Sequence, residues 1–154
     1  MARHEKRPAG YDAALLAIVQ DKKYLPEKAH EGDFGFDLRS TMDITLAPGQ
    51  VTQVPLGVKL ALPETVSAKI EGRSSLAMEG IFPVGGIIDS GYRGELMALL
   101  VNLTDQPFEI QDGDRVAQLC VFANYNVAIA PVDSFGDEEE TQRGEGGFGS
   151  TGRG

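Results

Sequence analysis

The sequence is poor in cysteine, in basic charge and in long apolar runs. Its one cysteine, Cys120, excludes an intramolecular disulfide, and nothing else in the chain calls for an oxidising compartment. Cys120 sits in an apolar run and reads as a small core residue. Acidic residues outnumber basic ones, 23 against 14, for a net charge of −9. General affinity for nucleic acid needs a basic surface, so no nucleic-acid partner is expected. An acidic chain that handles a polyanion needs local arginines, a metal ion, or both. No apolar run approaches the ~20 residues of a membrane-spanning helix. The basic residues Arg3, Lys6 and Arg7 are followed by no signal-peptide pattern. The expected setting is therefore soluble and cytoplasmic, with no membrane partner. Internal repeats and a metal-ligand cluster are also lacking.

What is present is a chain of 154 residues, 42% apolar, enough for one domain with a proper core. Residues 1–12 are polar and read as a loose N-terminal arm. Residues 13–136 read as the domain, and residues 137–154 as an acidic linker and a glycine-rich arm. Within the domain the apolar segments are short and punctuated by glycine and proline. Strands are expected at 13–19, 36–39, 43–46, 51–54, 57–61, 65–70, 96–101, 108–110 and 116–122, with Pro55 separating the fourth from the fifth; 36–39 and 65–70 alternate apolar and polar residues, and the continuously apolar 96–101 reads as a strand buried on both faces. Residues 127–132 form a last apolar segment. Residues 76–79 suit a turn or two of helix, capped by Ser74 or Ser75 and ended at Gly80. Many short strands with frequent turns indicate an all-β sandwich or barrel.

The densest group of chemically capable residues is Gly85-Gly86-Ile87-Ile88-Asp89-Ser90-Gly91-Tyr92-Arg93-Gly94-Glu95. It reads as a hairpin with an acid and an aromatic ring at its mouth. A carboxylate against apolar walls can orient a water or accept its proton; Asp89-Ser90-Gly91 is equally an ordinary turn. Four further groups are ambiguous in the same way. Asp37 could hold a metal-bound water or face solvent. Arg73-Ser74-Ser75 could present donors to an anion at a helix start, or simply open a helix. Gln118 is polar within an apolar strand and needs a partner if buried. The glycine-rich tail has a linker's composition, yet Phe148 with Arg143, Ser150 and Thr151 could close over a base and a phosphate chain.

Five segments, in order, resemble the five motifs of the deoxyuridine triphosphatase (dUTPase) family. They are Asp33-Phe34-Gly35-Phe36-Asp37-Leu38, Arg73-Ser74-Ser75-Leu76-Ala77, Gly86-Ile87-Ile88-Asp89-Ser90-Gly91-Tyr92-Arg93-Gly94-Glu95, Gly113-Asp114-Arg115-Val116-Ala117-Gln118, and Arg143-Gly144-Glu145-Gly146-Gly147-Phe148-Gly149-Ser150-Thr151-Gly152. Each is weak alone; the ordered set is specific. The resemblance implies a β jelly-roll assembled as a homotrimer, with sites between subunits and a C-terminal arm closing each. It implies Mg²⁺-dependent hydrolysis of dUTP to dUMP and pyrophosphate, which keeps uracil out of DNA and supplies dUMP for thymidylate synthesis.

It also implies roles. Asp89 would deprotonate the water that attacks the α-phosphorus, and Gln118 would help hold it. Tyr92 would pack on the deoxyribose, Arg73, Ser74 and Ser75 would line the phosphate chain, and Asp37 would lie near water bound to Mg²⁺. Arg143 would reach the γ-phosphate beside Ser150 and Thr151. Phe148, with Gly149, would cover the uracil, whose edge would be read by backbone around Gly86, Ile87 and Ile88. Three positions depart from many relatives: Gly91 where a second Asp is frequent, Ser75 where glycine is frequent, and Phe82-Pro83-Val84, which lacks an asparagine near the base. A dCTP deaminase shares parts of the pattern, but it places a catalytic glutamate in the strand after the turn. Here that strand, Leu96-Met97-Ala98-Leu99-Leu100-Val101, has no acid. A non-catalytic binding protein on the same fold is the remaining alternative.

Overall fold

The computed structural model describes residues 14–136 together with Thr141 and Gly144. The expected arm at 1–12, Ala13, and all of the expected linker and tail at 137–154 except Thr141 and Gly144 lie outside the described residues.

Alternating apolar residues place the strands where a core must be covered. They are β1 (Leu16–Val19), β2 (Phe36–Arg39), β3 (Ile44–Leu46), β4 (Val51–Ala61), β5 (Val66–Glu71), β6 (Ile81–Pro83), β7 (Ile87–Ile88), β8 (Glu95–Asn102), β9 (Phe108–Ile110) and β10 (Arg115–Ala123). One α-helix, α1 (Ser74–Met78), occurs among the described residues. A first sheet runs β1-β4-β8-β6, a second β2-β10-β5-β7, and β3 pairs with β9. Inward residues of both four-stranded sheets meet in one core: Val54, Leu56, Val58 and Leu100 from the first, Leu38, Ile70 and Leu119 from the second. The result is the expected all-β, jelly-roll-like sandwich with one short helix.

Four local expectations are corrected. Pro55 does not divide two strands. β4 runs through it, and the register jumps from Pro55↔Met97 to Lys59↔Glu95, so the extra residues form a bulge. Gly57 sits in that bulge at φ 65°, and its N–H donates to Glu95 Oε1 at 3.0 Å. Second, β7 and β8 are not a hairpin. β7 pairs with β5 while β8 pairs with β4 and β6, so residues 89–94 cross from one sheet to the other. Third, β8 is not buried on both faces: Leu96, Ala98, Leu100 and Asn102 are buried, while Met97, Leu99 and Val101 are only half-covered. Fourth, Arg73 is the N-cap residue of α1 and no side chain caps it; Ser74 and Ser75 stand in the first turn, exposed. The last apolar segment, 127–132, forms no strand, and Val127, Ile129 and Val132 are exposed.

A short 3-10 turn (Lys22–Tyr24) braces the start of β10. Tyr24 Oη donates to Asp112 Oδ1 and Lys23 Nζ to Asp112 Oδ2, each at 2.6 Å. The hydrogen bond from Lys23, then that from Tyr24, holds the Asp112 carboxyl below its ordinary range. Arg39 Nη1 donates to the Gly113 carbonyl at 2.8 Å. The β9–β10 turn is thus fixed from two sides.

Asn102 is the other polar anchor. It is fully buried, and its amide donates to the carbonyls of Leu46 (2.9 Å) and Gln106 (2.7 Å). Its Oδ1 accepts from Thr104 N and Oγ1. Asn102→Ala would strand these groups in an enclosed site, and should cost about 3 kcal/mol. Urea unfolding at pH 7 measures this; an unchanged midpoint would mean that water replaces the amide.

Candidate active site

Two recesses contain all of the expected site residues that fall among the described ones. The first lies on the outer face of the second sheet. Central strand β10 pairs with β2 and β5 so that Asp37, Gln118 and Glu71 stand in one row. Side chains alternate across a strand, so Gln118 and Cys120 face outward while Leu119 enters the core. The recess encloses about 370 Å³ and is lined by Phe34, Asp37, Arg73, Ser74, Ser75 and Gln118 among others.

Its polar groups constrain one another. Arg73 Nε donates to Asp37 Oδ1 at 3.0 Å, and Arg115 Nη1 donates to Asp37 Oδ2 at 3.1 Å. Arg73 Nη1 also donates to the Arg115 carbonyl at 3.2 Å. Gln118 Nε2 donates to the Gly72 carbonyl at 2.7 Å, the partner its position demands. Gly35 makes room for that amide: a Cβ at 35 would stand 2.9 Å from Gln118 Cδ and closer still to Oε1. Cys120 is buried as expected, but it also lines this recess. Burial, and then the Glu71 carboxylate, pushes its thiol up. It is therefore a neutral wall group at physiological pH.

The second recess, about 210 Å³, lies where the chain crosses between the sheets. It is lined by Gly86, Ile87, Ile88, Asp89, Tyr92 and Leu99, among others. Gly86 adopts φ 115°, and its carbonyl accepts from Ile70 N at 2.8 Å. A Cβ there would meet the Ile70 carbonyl oxygen at 3.0 Å, so only glycine fits. β7 pairs on one side only and is an edge of its sheet, which leaves backbone donors and acceptors on the other side. Asp89 is exposed at its end. Tyr92 N closes the turn onto the Asp89 carbonyl at 3.0 Å. The ring of Tyr92 is held by its own hydroxyl, which donates to the Glu95 carbonyl at 2.9 Å. Gly94 lies beneath that ring, and a Cβ there would reach Tyr92 Cζ at 2.5 Å.

The two recesses share no lining residue. Within one chain, Gln118 joins Asp37, Arg73, Ser74 and Ser75, and Asp89 joins Tyr92 and the β7 backbone. Gln118 and Asp89 do not line a common recess. Arg143, Phe148, Gly149, Ser150 and Thr151 lie outside the described residues. Three positions with a bearing on the site had no role read from the sequence. Gly35 gives space to a residue in another strand. Arg115 meets a carboxylate 78 residues away. Glu95 lines the second recess, but its side chain is engaged by the β4 bulge. None carries a local signal, because each role depends on a distant partner.

A sheet-on-sheet fold with one cation-bearing and one apolar recess defines an all-β protein equipped for a small, charged ligand. The family model for dUTPase matches residues 21–152. The deoxyuridine 5'-triphosphate nucleotidohydrolase of Clostridium novyi (strain NT) is 38% identical over 141 residues, covering 90% of this chain and 97% of that protein. Among solved structures, a mutant dUTPase of Staphylococcus bacteriophage 80alpha with dUpNHpp is similar at a TM-score of 0.78 and 24% identity, covering 91% of this chain and 99% of that one. A mutant dUTPase from phage phi11 of S. aureus, described as coordinating a structural Mg(II) ion, gives 0.72 at 21%, covering 79% and 98%. The two phage structures bear on the fold alone. The chain belongs to the dUTPase family, and it is an enzyme with dUTP nucleotidohydrolase activity.

Gly35→Ala tests the packing on Gln118. The far end of a flexible side chain can move, so the circular dichroism spectrum should be unchanged while dUTP hydrolysis falls about tenfold. Full turnover would show that the placement of Gln118 is immaterial.

Proposed function

We propose that the enzyme hydrolyses dUTP to dUMP and pyrophosphate by attack of water on the α-phosphorus, in sites assembled between the subunits of a homotrimer. Such a reaction would keep uracil out of DNA and supply dUMP for thymidylate synthesis, and the setting proposed for it is the cytoplasm. The observation that carries the reading is Asp89 at the rim of the apolar recess, beside the fixed ring of Tyr92. Asp89 takes a proton from the water as its oxygen bonds to the α-phosphorus. The bond to the α–β bridging oxygen breaks, and pyrophosphate leaves with that electron pair. With Gln118 Nε2 engaged by Gly72, its Oε1 remains to accept from the water. Tyr92 packs on the deoxyribose, while the backbone of Gly86, Ile87 and Ile88 reads the uracil from the β7 edge. Arg73, Ser74 and Ser75 line the phosphate chain. Arg143, Ser150 and Thr151 reach its γ end, and Phe148, with Gly149, covers the base.

Two features support a site between subunits. Gln118 and Asp89 line different recesses of one chain, so a neighbouring copy would unite them. Exposed Val127, Ile129 and Val132, with the half-covered outer face of β8, offer apolar surface that an assembly would bury.

The residues present fit Mg²⁺ only as a substrate-borne ion. Among the described residues no group of three or more His, Cys, Asp or Glu could hold a metal. Each Asp37 oxygen is engaged by a guanidinium, and each retains a lone pair that could accept from metal-bound water. An ion bound by phosphate oxygens, with much of its water shell intact, suits this set. When bound, it would neutralise charge on the phosphate chain.

Pyrophosphate and ammonia should be assayed together from dUTP, dCTP, dTTP and UTP. Pyrophosphate from dUTP without ammonia is expected, and ammonia from dCTP would refute hydrolysis as the reaction. In the same assay Asp89→Asn should lower kcat at least about 100-fold while a non-hydrolysable dUTP analogue still binds. Unchanged turnover would remove Asp89 as the base. Gly94→Ala should push the Tyr92 hydroxyl off the Glu95 carbonyl and raise UTP turnover relative to dUTP about tenfold. A constant ratio would place sugar selection elsewhere.

A further inference from the structure

The geometry points to Arg115 as a positioning residue: it fixes the Arg73 guanidinium in the phosphate recess, acting through Asp37 and through its own carbonyl. This rests on the reading of that recess as the phosphate site.

The strand phase puts Arg115 where it can act. In the β10–β2 pairing the register shifts between Arg115 and Ala117. Val116 and Ala117 are both buried, which breaks the alternation. An unbroken strand would put Gln118 outward, Ala117 inward, Val116 outward and Arg115 inward. The extra residue reverses the last two, so Arg115 emerges on the face that carries Asp37 and Gln118. Re-aiming a side chain is what a bulge accomplishes. Arg39, its Cα partner across the shift, is tied to the Gly113 carbonyl, which anchors the turn from which Arg115 departs.

Arg115 then holds Arg73 at two points. Its carbonyl accepts from Arg73 Nη1 at 3.2 Å. Its guanidinium takes Asp37 Oδ2 at 3.1 Å, leaving Oδ1 to accept from Arg73 Nε at 3.0 Å. A carboxylate free to rotate could turn either oxygen to Arg73; one pinned at its second oxygen presents a fixed acceptor. Arg73 and Asp37 are mostly enclosed, with side chains 22% and 18% exposed, while Arg115 stands further out at 43%. Arg115 is not in the wall of the recess; it stands behind the residue that is. Guanidinium forks recognise phosphate oxygens by orientation as well as charge, so an arginine held at Nε and at one Nη is aimed before substrate arrives.

The test is a double-mutant cycle on the full chain, read by affinity for a non-hydrolysable dUTP analogue. Arg115→Gln should weaken binding of the analogue about tenfold. It should change binding of dUMP, which lacks the β- and γ-phosphates, less than about twofold. In an Arg73→Ala background, Arg115→Gln should add less than about twofold, because its route of action is gone. Multiplying losses would mean that Arg115 touches the phosphates itself, and would overturn the inference. An equal loss for dUMP would reveal a general structural defect and would overturn it too. A silent Arg115→Gln beside a damaging Arg73→Ala would sink this inference alone. A silent Arg73→Ala would remove the phosphate recess, and this inference with it. Independently, the Arg73 Nε–H resonance should be slow to exchange with water in the parent and fast in Arg115→Gln; equal rates would refute the positioning role.

Discussion

The chain leaves the second sheet after Ile88 and enters the first at Glu95, and residues 89–94 must span that gap. A crossing this short can only be made if its ends are held. Ile87 and Ile88 are held by β5. Glu95 is held at the other end, where its side chain accepts from Gly57 in the β4 bulge. Within the crossing, Arg93 Nη1 donates to the carbonyls of Ser90 and Tyr92, and Tyr92 Oη to that of Glu95. Asp89 and Tyr92 therefore owe their positions to both sheets at once. A two-stranded hairpin would have tied them to one sheet only.

Much of this was legible in the sequence, and the boundary is physical. Alternation located β2 and β5 because each covers one face of the core, and Gly80 marked the end of α1 because the left-handed turn at φ 80° favours glycine. Alternation reports burial, however, and not partners. It could not say that β7 joins β5, since Ile87-Ile88 reads the same in a hairpin or an arch. Pro55 looked like a strand break because proline removes a donor; a bulge at that point makes the missing donor harmless. The apolar run of β8 suggested two buried faces, yet one chain covers only one of them. Among the site residues, Asp89, Tyr92, Arg73 and Gln118 stood out by type. Gly35 and Arg115 did not, because what they do is done to residues in other strands.

The electrostatics follow the same division between whole and part. The molecule carries a net charge of −9, yet the row beside β10 gathers two guanidiniums around one carboxylate. Coulomb attraction at a few ångströms in a partly enclosed recess outweighs a diffuse surface charge screened over a Debye length of ~8–10 Å. An acidic surface also disfavours long polyanions such as nucleic acid, while a small polyanion needs only the local group. Overall charge and site charge thus answer different questions about what the protein touches.

The bulge at the start of β10 carries one more consequence. A strand behaves like a two-stroke rhythm, and inserting or deleting one residue inverts every beat beyond it. Here the inversion is built in, and it leaves a trace readable in one dimension: Val116-Ala117, two neighbouring apolar residues flanked by Arg115 and Gln118, polar residues that share a face. In an uninterrupted strand that spacing would set the two on opposite sides. A doubled apolar step between polar residues three apart is therefore a signature by which such a phase reversal can be sought in a bare sequence.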